Sequence, residues 1–385
     1  MDDPMEQVGR CLVSCLRMAA DGPSSSTRTP VDLGRPPPQA LLAGARAHRI
    51  SPFVLDALRA SDVDNPTLEA GLLEDQRILA SAQLRTALDL STLGDVLDRE
   101  GVPWLVFKGP VLAHLAYRRP GRRRYDDLDV LTPPAAFPSA VRALEAAGFV
   151  VLDQNWHLIR REGRGQLHLI HPDGGMVDLH WHLLNRAGVR GGFSLDIDGV
   201  FERSRATHID GMPIRTLDPV DMLVHTCLHA AMSGAGRLLW VRDVEGLVSR
   251  LAEPWDAVEG RARSWRAAAP VGLMLERARR ILGAEVPTGL THRLFGSRLR
   301  ARIDRLIDRG WPLEMTTAQM SPATVWAEVQ RDGVSRLIMA ATRRGARRPL
   351  ALVQGRRHAT GAIMLPTGTQ GDREAFLRDV EMATL

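Results

Sequence analysis

The stretch Tyr125-Asp126-Asp127-Leu128-Asp129-Val130-Leu131 combines a short apolar β pattern with two acids one residue apart. Side chains at positions i and i+2 of a strand point to the same face, so Asp127 and Asp129 are predicted to lie side by side. Two such carboxylates repel each other and lose hydration on burial. A folded chain therefore usually tolerates the pair only where a cation sits between them. The sequence therefore predicts a divalent-metal site at this strand.

A third acid lies in another apolar β segment, Met176-Val177-Asp178-Leu179-His180-Trp181-His182-Leu183. Aspartate is disfavoured inside strands, so Asp178 needs a specific reason to be there. We expect the three acids, Asp127, Asp129 and Asp178, to converge on one or two Mg²⁺ ions, with Mn²⁺ as the alternative, because hard oxygen ligands suit these metals. Alternation places His180 on the same face as Asp178, where it is predicted to orient that carboxylate or to contact a phosphate.

Lys108 is the only lysine of the chain, although lysine and arginine together number 50. It ends the apolar run Trp104-Leu105-Val106-Phe107. An ammonium is a compact point charge and a guanidinium is a wide planar fork, so Lys108 is a candidate for a role that arginine cannot fill. Chance retention is the alternative, and both interpretations remain open.

Between residues 101 and 218 the pattern indicates a mixed α/β sheet. Helices are predicted at 110–116 and 134–147. Strands are predicted at 104–107, 128–131, 149–152, 157–160, 167–170 and 176–183, and Asp173-Gly174-Gly175 supplies a hairpin turn before the last of them.

Helical patterns flank this core on both sides. Residues 39–99 have apolar residues three and four apart, and their leucine stripes, including Leu84 and Leu88, are predicted to pack in a core. Helical spacing returns at 221–232, 238–251, 254–269 and 271–282. Because 385 residues exceed what one hydrophobic core usually supports, we predict a helical region at 1–100, the α/β core at 101–218 and a helical domain at 219–385.

Composition limits the classes of function. With 44% hydrophobic and 25% charged residues and no long apolar run, the chain is expected to be a cytoplasmic globular protein without a membrane partner. Its three cysteines form no zinc signature, and the pair His225 and His229 lacks a third ligand, so these histidines are predicted to pack or to line a cleft. A net charge of +5 would suit a polyanionic partner, and the phosphates of a nucleotide would account for a local basic patch equally well. An aromatic content of only 5% argues against a surface on which the bases of single-stranded nucleic acid stack.

Several blocks, taken in order, resemble a known group of proteins. Together they are similar to the uncharacterised nucleotidyltransferase family of the polymerase-β-like superfamily. The blocks are Lys108-Gly109-x-x-Leu112, Arg123-x-x-x-Asp127-Leu128-Asp129, Val177-Asp178-Leu179-His180-Trp181 and Asp221-x-x-x-x-His225-x-x-x-His229, with Trp240 and Asp243 after the last of them.

This resemblance implies an enzyme with a mixed-sheet nucleotidyltransferase core between all-helical regions. It implies Mg²⁺-dependent transfer of a nucleoside monophosphate from an NTP, with ATP as the first candidate, to a hydroxyl or phosphate of an acceptor. The acceptor is expected to be a peptide or an anionic small molecule of a biosynthetic pathway.

The resemblance also implies roles for individual residues. Asp127 and Asp129 would be shared metal ligands, and Asp178 would hold the catalytic metal and help to deprotonate the attacking hydroxyl. The nucleotide would be bound by Lys108, Gly109, Arg123 and His180.

Two alternatives stay open, the first of them because of a departure from the superfamily. Lys108-Gly109-Pro110 stands where most members have Gly-Ser, whose hydroxyl and N–H groups hold phosphates. The helix N-terminus that follows still offers N–H groups to an anion. One alternative is a catalytically idle nucleotide-binding or partner-binding module of the same fold. The other is an arginine-rich nucleic-acid-binding protein, suggested by basic runs such as those in 343–357.

Overall fold

A five-stranded sheet forms the centre of the computed structural model, which describes residues 4–20, 31–296 and 362–383 together with residues 302 and 306. Its strands are β1 (Leu105–Phe107), β2 (Leu128–Leu131), β3 (Val150–Val151), β4 (Gln166–Ile170) and β5 (Met176–His180). The strand order is β1-β2-β5-β4-β3. Strands β2 and β5 run parallel, and the other neighbouring pairs are antiparallel. The predicted mixed α/β architecture is therefore confirmed.

Alternation around Asp129 and Asp178 gives the central strands an apolar face and a face that carries the acids. On one face Val130 and Val177 are fully buried in the hydrophobic core, as are their neighbours two residues along, Leu128 and Leu179. The positions between them are polar: Asp129 on β2 and Asp178 on β5. The apolar face fixes the register of the strands, because a slip of one residue would bury the acids in the core.

Helices precede the sheet, as the sequence predicts: α1 (Pro4–Ala20), α2 (Pro38–Ala47), α3 (Ser51–Arg59) and α4 (Pro66–Arg99). Helix α4 begins where the Asn65 side chain accepts a hydrogen bond from the Leu68 N–H, followed by a proline in the first turn. The expectation that the leucine stripes of α4 pack in a core is wrong for Leu84 and Leu88, which are 71% and 64% exposed.

The remaining helices lie within and after the sheet. Those within it are α5 (Gly109–Ala116), α6 (Phe137–Ala146), α7 (Trp156–Glu162), α8 (Ala187–Arg190) and α9 (Ile197–Arg203). Those after it are α10 (Pro219–Met232), α11 (Leu238–Val248), α12 (Trp255–Ser264), α13 (Ala268–Leu282), α14 (Thr288–Phe295) and α15 (Gln370–Glu381). Helix α13 contacts α1, so the two helical regions touch, and α11 packs against α5 beside the sheet.

The structure corrects the sequence analysis at two places. The segment 157–160, predicted as a strand, belongs to α7, which begins where the Asn155 side chain accepts from the Leu158 N–H and ends at the left-handed Gly163. A hairpin was missed: β6 (Arg205–Ile209) and β7 (Met212–Thr216) pair through Asp210-Gly211, a turn with positive φ at both residues.

Two expectations concern larger parts of the chain. The division at residues 100 and 218 stays a prediction, and the arginine-rich stretch 343–357 lies outside the described residues. Within the described ranges, none of the helices combines the length and the apolar character that crossing a bilayer requires.

Candidate active site

Polar side chains form a row across the sheet, on the face opposite the apolar core. Asp129 of β2 lies directly opposite Asp178 of β5, which in turn lies opposite His168 of β4. Two residues further along β5, His180 lies opposite Gln166. Parallel pairing of β2 and β5 thus brings together two acids that are 49 positions apart in the chain.

Lys108 approaches this row from the turn between β1 and α5. Its Nζ lies 2.6 Å from Oδ1 of Asp129 and 4.8 Å from the ring centre of Phe107. The backbone reaches this position with φ of 58°, a conformation that residues other than glycine rarely adopt. The following Gly109 is also constrained, because an added Cβ would lie 3.1 Å from the carbonyl oxygen of Asp127.

Asp129 is buried and held by two donors. In addition to Lys108, Nε2 of His180 lies 3.0 Å from Oδ1 of Asp129. Burial alone raises the pKa of this carboxyl group, but Lys108 and His180 outweigh that effect and lower the pKa below its usual value. His180 therefore contacts Asp129, whereas the sequence analysis linked it to Asp178 or to a phosphate.

Asp178 is buried with one oxygen satisfied and one free. Gln166 donates a 2.7 Å hydrogen bond to Oδ2, whereas Oδ1 has no hydrogen-bond partner among the described residues. Burial raises the pKa of Asp178 to about 7; nearby His168 lowers it, and Asp129 and Asp127 raise it by repulsion. A carboxyl group with a pKa near 7 is suited to accept a proton at neutral pH.

His168 supports Asp178 from the neighbouring strand. Its Nδ1 lies 2.9 Å from the Asp153 carboxylate, and its Nε2 lies 3.8 Å from Oδ1 of Asp178. Burial lowers the pKa of His168, but the Asp153 hydrogen bond and the charges of both acids outweigh it and raise the pKa to about 9. The imidazolium is thus fixed between two carboxylates.

Asp127 lies just before β2 and is partly buried in the same cleft. Burial and the charge of Asp129 raise its pKa to about 6. Possible metal-ligating atoms of Asp129, Asp178 and His180 lie within 4.8 Å of one another, but those of Asp127 are not part of this group. The structure brings the three predicted acids to one cleft, and its tightest group contains two of them and a histidine.

Arg123, which the resemblance assigns to the triphosphate, is buried in an ion pair. Its Nε and one terminal nitrogen donate to the Asp243 carboxylate at 2.8 and 3.0 Å, and its other terminal nitrogen donates to the Gly109 carbonyl at 3.2 Å. Tyr117 also donates to Asp243, at 2.6 Å. All guanidinium nitrogens are thus used within the protein, and Arg123 holds the Lys108–Gly109 turn against α11.

The predicted role of the histidine pair on α10 is also seen. His225 is buried with its ring 5.2 Å from that of Phe107, and His229 lines the cleft beside Trp240. Burial lowers the pKa of both imidazoles, so both are neutral at pH 7. The pair packs and lines the cleft, as the sequence indicates.

These residues open into a cleft of about 580 Å³, a volume suited to a nucleotide-sized ligand. The sheet supplies the carboxylates at its floor. Segments outside the sheet supply basic and apolar side chains, among them Arg49, Arg124, Arg186, Arg237 and Trp240.

Sequence reasoning missed several of these residues. Gln166 and His168 could have been found, because alternation along β4 places them on the polar face. No local signal indicates Asp153 or Asp243 as partners, because each is brought to the site only by tertiary packing.

A mixed sheet that carries clustered acids and a lysine beside basic side chains is an arrangement suited to phosphate and metal chemistry, the class to which nucleotidyltransferases belong. Residues 36–283 match the model of the family described as uncharacterised nucleotidyltransferase. The chain therefore belongs to this family, and the resemblance drawn from its motifs is confirmed.

Solved structures of two other proteins are similar to the chain. One is an antigenic nucleotidyltransferase-like protein from Paracoccidioides brasiliensis, with 15% identity, a TM-score of 0.35, and coverage of 55% of this chain and 96% of that one. The other is the antibiotic-resistance factor ANT(2″)-Ia, with 15% identity, a TM-score of 0.33, and coverage of 52% and 98%. None of the curated proteins matches the chain.

Proposed function

We propose that the protein transfers a nucleoside monophosphate from an NTP to an acceptor, with Mg²⁺ as the metal and ATP as the first donor to test. The observation that carries this proposal is the orphaned Oδ1 of Asp178, buried and facing a site shared with Asp129. A buried carboxylate oxygen without a donor is costly unless a cation or proton binds it. Family membership supplies the reaction class.

The donor set fits a hard divalent cation. Asp129 and Asp178, with Asp127 at the cleft edge, would hold the metal, and carboxylate oxygens are the ligands that Mg²⁺ prefers. When bound, the metal would neutralise charge on the triphosphate. Lys108 and Gly109 at the start of α5 would bind phosphate oxygens through an ammonium group and free backbone N–H groups.

The proposed transfer is a displacement at the α-phosphorus of the NTP. An acceptor oxygen attacks the α-phosphorus, a new P–O bond forms, and the bond from the α-phosphorus to the bridging oxygen breaks, so that pyrophosphate leaves. Asp178 accepts the proton of an attacking hydroxyl, a role suited to its raised pKa. Gln166 and His168 hold Asp178 in position, and His180 does the same for Asp129.

One observation favours a second candidate, the idle nucleotide-binding module. The Lys108 ammonium already forms a 2.6 Å ion pair with Asp129 and so provides a built-in cation beside the acids. A protein that binds nucleotide without turnover could use such a pair in place of a metal.

The first prediction tests both candidates. We expect the wild-type protein to bind one NTP only with Mg²⁺ in isothermal titration, and the isosteric double variant Asp127→Asn with Asp129→Asn to lose at least tenfold in affinity, because both ligands lose charge. Asp178→Asn removes a metal ligand and the proton acceptor together, so it should lose pyrophosphate release, measured with water, phosphate esters, carboxylic acids and peptides as acceptors.

The control is Asp95→Asn, which removes an exposed acid of α4 and should change neither readout. Binding that is independent of Mg²⁺ or survives in the double variant contradicts the metal–triphosphate site. Mg²⁺-independent binding without pyrophosphate release in any arm supports the idle module, in which the Lys108 ammonium takes the place of the metal.

A further inference from the structure

Four arginines of the cleft, here called the outer wall, come from segments outside the sheet. Arg49 lies between α2 and α3, Arg124 precedes β2, Arg186 follows β5 and Arg237 precedes α11. Four separate parts of the chain therefore converge to give the outer wall one sign of charge, opposite to that of the acids at the floor of the cleft. Like charges brought together in a cleft repel each other, so such an arrangement calls for an anion.

The protein itself provides little compensation for this charge. Asp126 contacts Arg49 at 3.0 Å and Arg124 at 3.1 Å, so one carboxylate serves two arginines. No carboxylate of the described residues forms an ion pair with Arg186 or Arg237. Arg237 instead lies 5.0 Å above the ring centre of Trp240, a cation–π contact that leaves its N–H groups available. The outer wall therefore carries an excess of positive charge.

Arg237 is also held in place by a rigid support. The first N–H groups of α11, those of Leu238 and Leu239, donate to Nδ1 and the carbonyl oxygen of His48 at 3.2 and 3.3 Å. These bonds fix the start of the helix against the α2–α3 junction, which also carries Arg49. Two arginines of the outer wall are thus positioned by the same two hydrogen bonds to His48, as a preorganised binding site requires.

Binding of the donor nucleotide would not neutralise the excess positive charge of the outer wall. The acids of the floor would hold the metals of a bound triphosphate. Those metals and the Lys108 ammonium would offset most of the negative charge of its phosphates. Adding the donor therefore leaves the outer wall with uncompensated arginines, and the second substrate is the remaining source of negative charge. A polycationic acceptor would be repelled by the same wall.

We propose that the acceptor is an anion, an organic acid or phosphate ester that carries a hydroxyl, whose anionic group is anchored by the outer wall, chiefly by Arg186 and Arg237. This inference rests on the proposed function and adds the acceptor's chemical class to it. The anchor orients the hydroxyl toward the α-phosphorus above Asp178, and the transfer step itself is unchanged. Binding the anion in a partly desolvated cleft strengthens the charge-assisted hydrogen bonds.

The second prediction tests this anchor with small probes. Wild-type protein loaded with Mg²⁺ and an NTP whose α,β-bridge is a methylene group should bind phenyl phosphate or benzoate in isothermal titration, and should not bind spermine. Arg237→Gln with Arg186→Gln should weaken binding of the anion at least tenfold, while the affinity for the loaded nucleotide stays within twofold. Comparing the two anions distinguishes a phosphate anchor from a carboxylate anchor.

The matched control is Arg85→Gln with Arg99→Gln, which removes two exposed arginines of α4 outside the cleft. Because Arg237 is the residue at which α11 begins, its replacement could disturb that helix, so the single variant Arg186→Gln provides a second test, with a thermal unfolding curve as the check of folding. Failure of both anions to bind, stronger binding of spermine, or an equal loss of nucleotide affinity in the arginine variant overturns the proposal.

The same titration without nucleotide separates this inference from the proposed function. Binding of the anion that depends on Arg186 and Arg237 in a protein that binds no NTP supports the anchor and contradicts the transferase. Mg²⁺-dependent nucleotide binding with no anion binding has the opposite meaning: it supports the donor site and overturns the anionic acceptor.

Discussion

Lys108 combines two unusual properties at a single residue. Its ammonium group pairs with the buried Asp129, and its backbone has φ of 58° and ψ of −135°, a region in which glycine is strongly favoured. Holding a side chain in this conformation costs about 1–3 kcal/mol. A strained residue at a cleft is expected where position matters more than stability, so the strain and the ion pair both point to function.

The third prediction separates the backbone strain from the loss of the charge. Lys108→Gly and Lys108→Ala both remove the ammonium, but only glycine relieves the strain, so the glycine variant should be the more stable by about 1 kcal/mol in urea unfolding. The same pair at Arg142, an exposed position of α6, should give the opposite order, because glycine is the poorer helix former. Equal stability of the two Lys108 variants would contradict backbone strain.

Residue roles could be predicted only where they follow from alternation. The three acids of the cleft were found because an aspartate in an apolar strand is anomalous. The nucleotide-binding role that the family resemblance implies for Arg123 stays a prediction, but its ion pair could not be predicted, because its partner Asp243 lies 120 positions away on α11. The same is true of His180, since a sequence indicates the face of a strand but not which neighbour a side chain contacts.

At the scale of elements, α4 shows how a repeating pattern can mislead. Its 34 residues continue a leucine pattern along their length, but a helix this long turns part of each stripe away from the core. Leu93 is buried, whereas Leu84 and Leu88 are largely exposed. The elements found correctly carry local signals, such as Asp218-Pro219 at the start of α10, and the missed β6–β7 hairpin had its Asp210-Gly211 signal as well.

The fourth prediction follows from this division of α4. Leu84→Gln and Leu88→Gln should each change the free energy of unfolding by less than about 0.5 kcal/mol, because these side chains already face solvent. Leu93→Ala, the buried control on the same helix, should lose about 2–5 kcal/mol through the cavity it leaves. Urea unfolding measures all three. A loss above 1 kcal/mol at Leu84 or Leu88 would show that this face is covered.

At the scale of the whole molecule, buried titratable groups of two opposing kinds determine how stability depends on pH. Burial lowers the pKa of His48 to about 4 and those of His182 and His225 to about 3. Burial instead raises the pKa of Asp127 to about 6 and that of Asp178 to about 7. The histidines favour folding at higher pH and the two acids at lower pH, so the net profile of the wild-type protein is a balance between them.

The fifth prediction isolates one side of this balance. A group whose folded pKa lies below its unfolded value of 6.5 contributes stability that is present above pH 6.5 and lost as the pH falls toward the folded pKa. Protonation of unfolded His182 should therefore cost the native protein on the order of 1–2 kcal/mol between pH 7.5 and 5. His182→Gln should remove this contribution and still accept the Leu184 N–H.

The free energy of unfolding of the variant is compared with that of the wild type at each pH, in metal-free buffer. Asp127 and Asp178 contribute equally to both proteins, so their contributions cancel in the difference. Urea unfolding at pH 7.5 and 5 should therefore show His182→Gln losing less stability on acidification than the wild type by about that amount. His157→Gln, at an exposed position of α7, should keep the full wild-type dependence. An unchanged dependence in His182→Gln would mean that the buried imidazole accepts a proton without cost, against the effect of its burial.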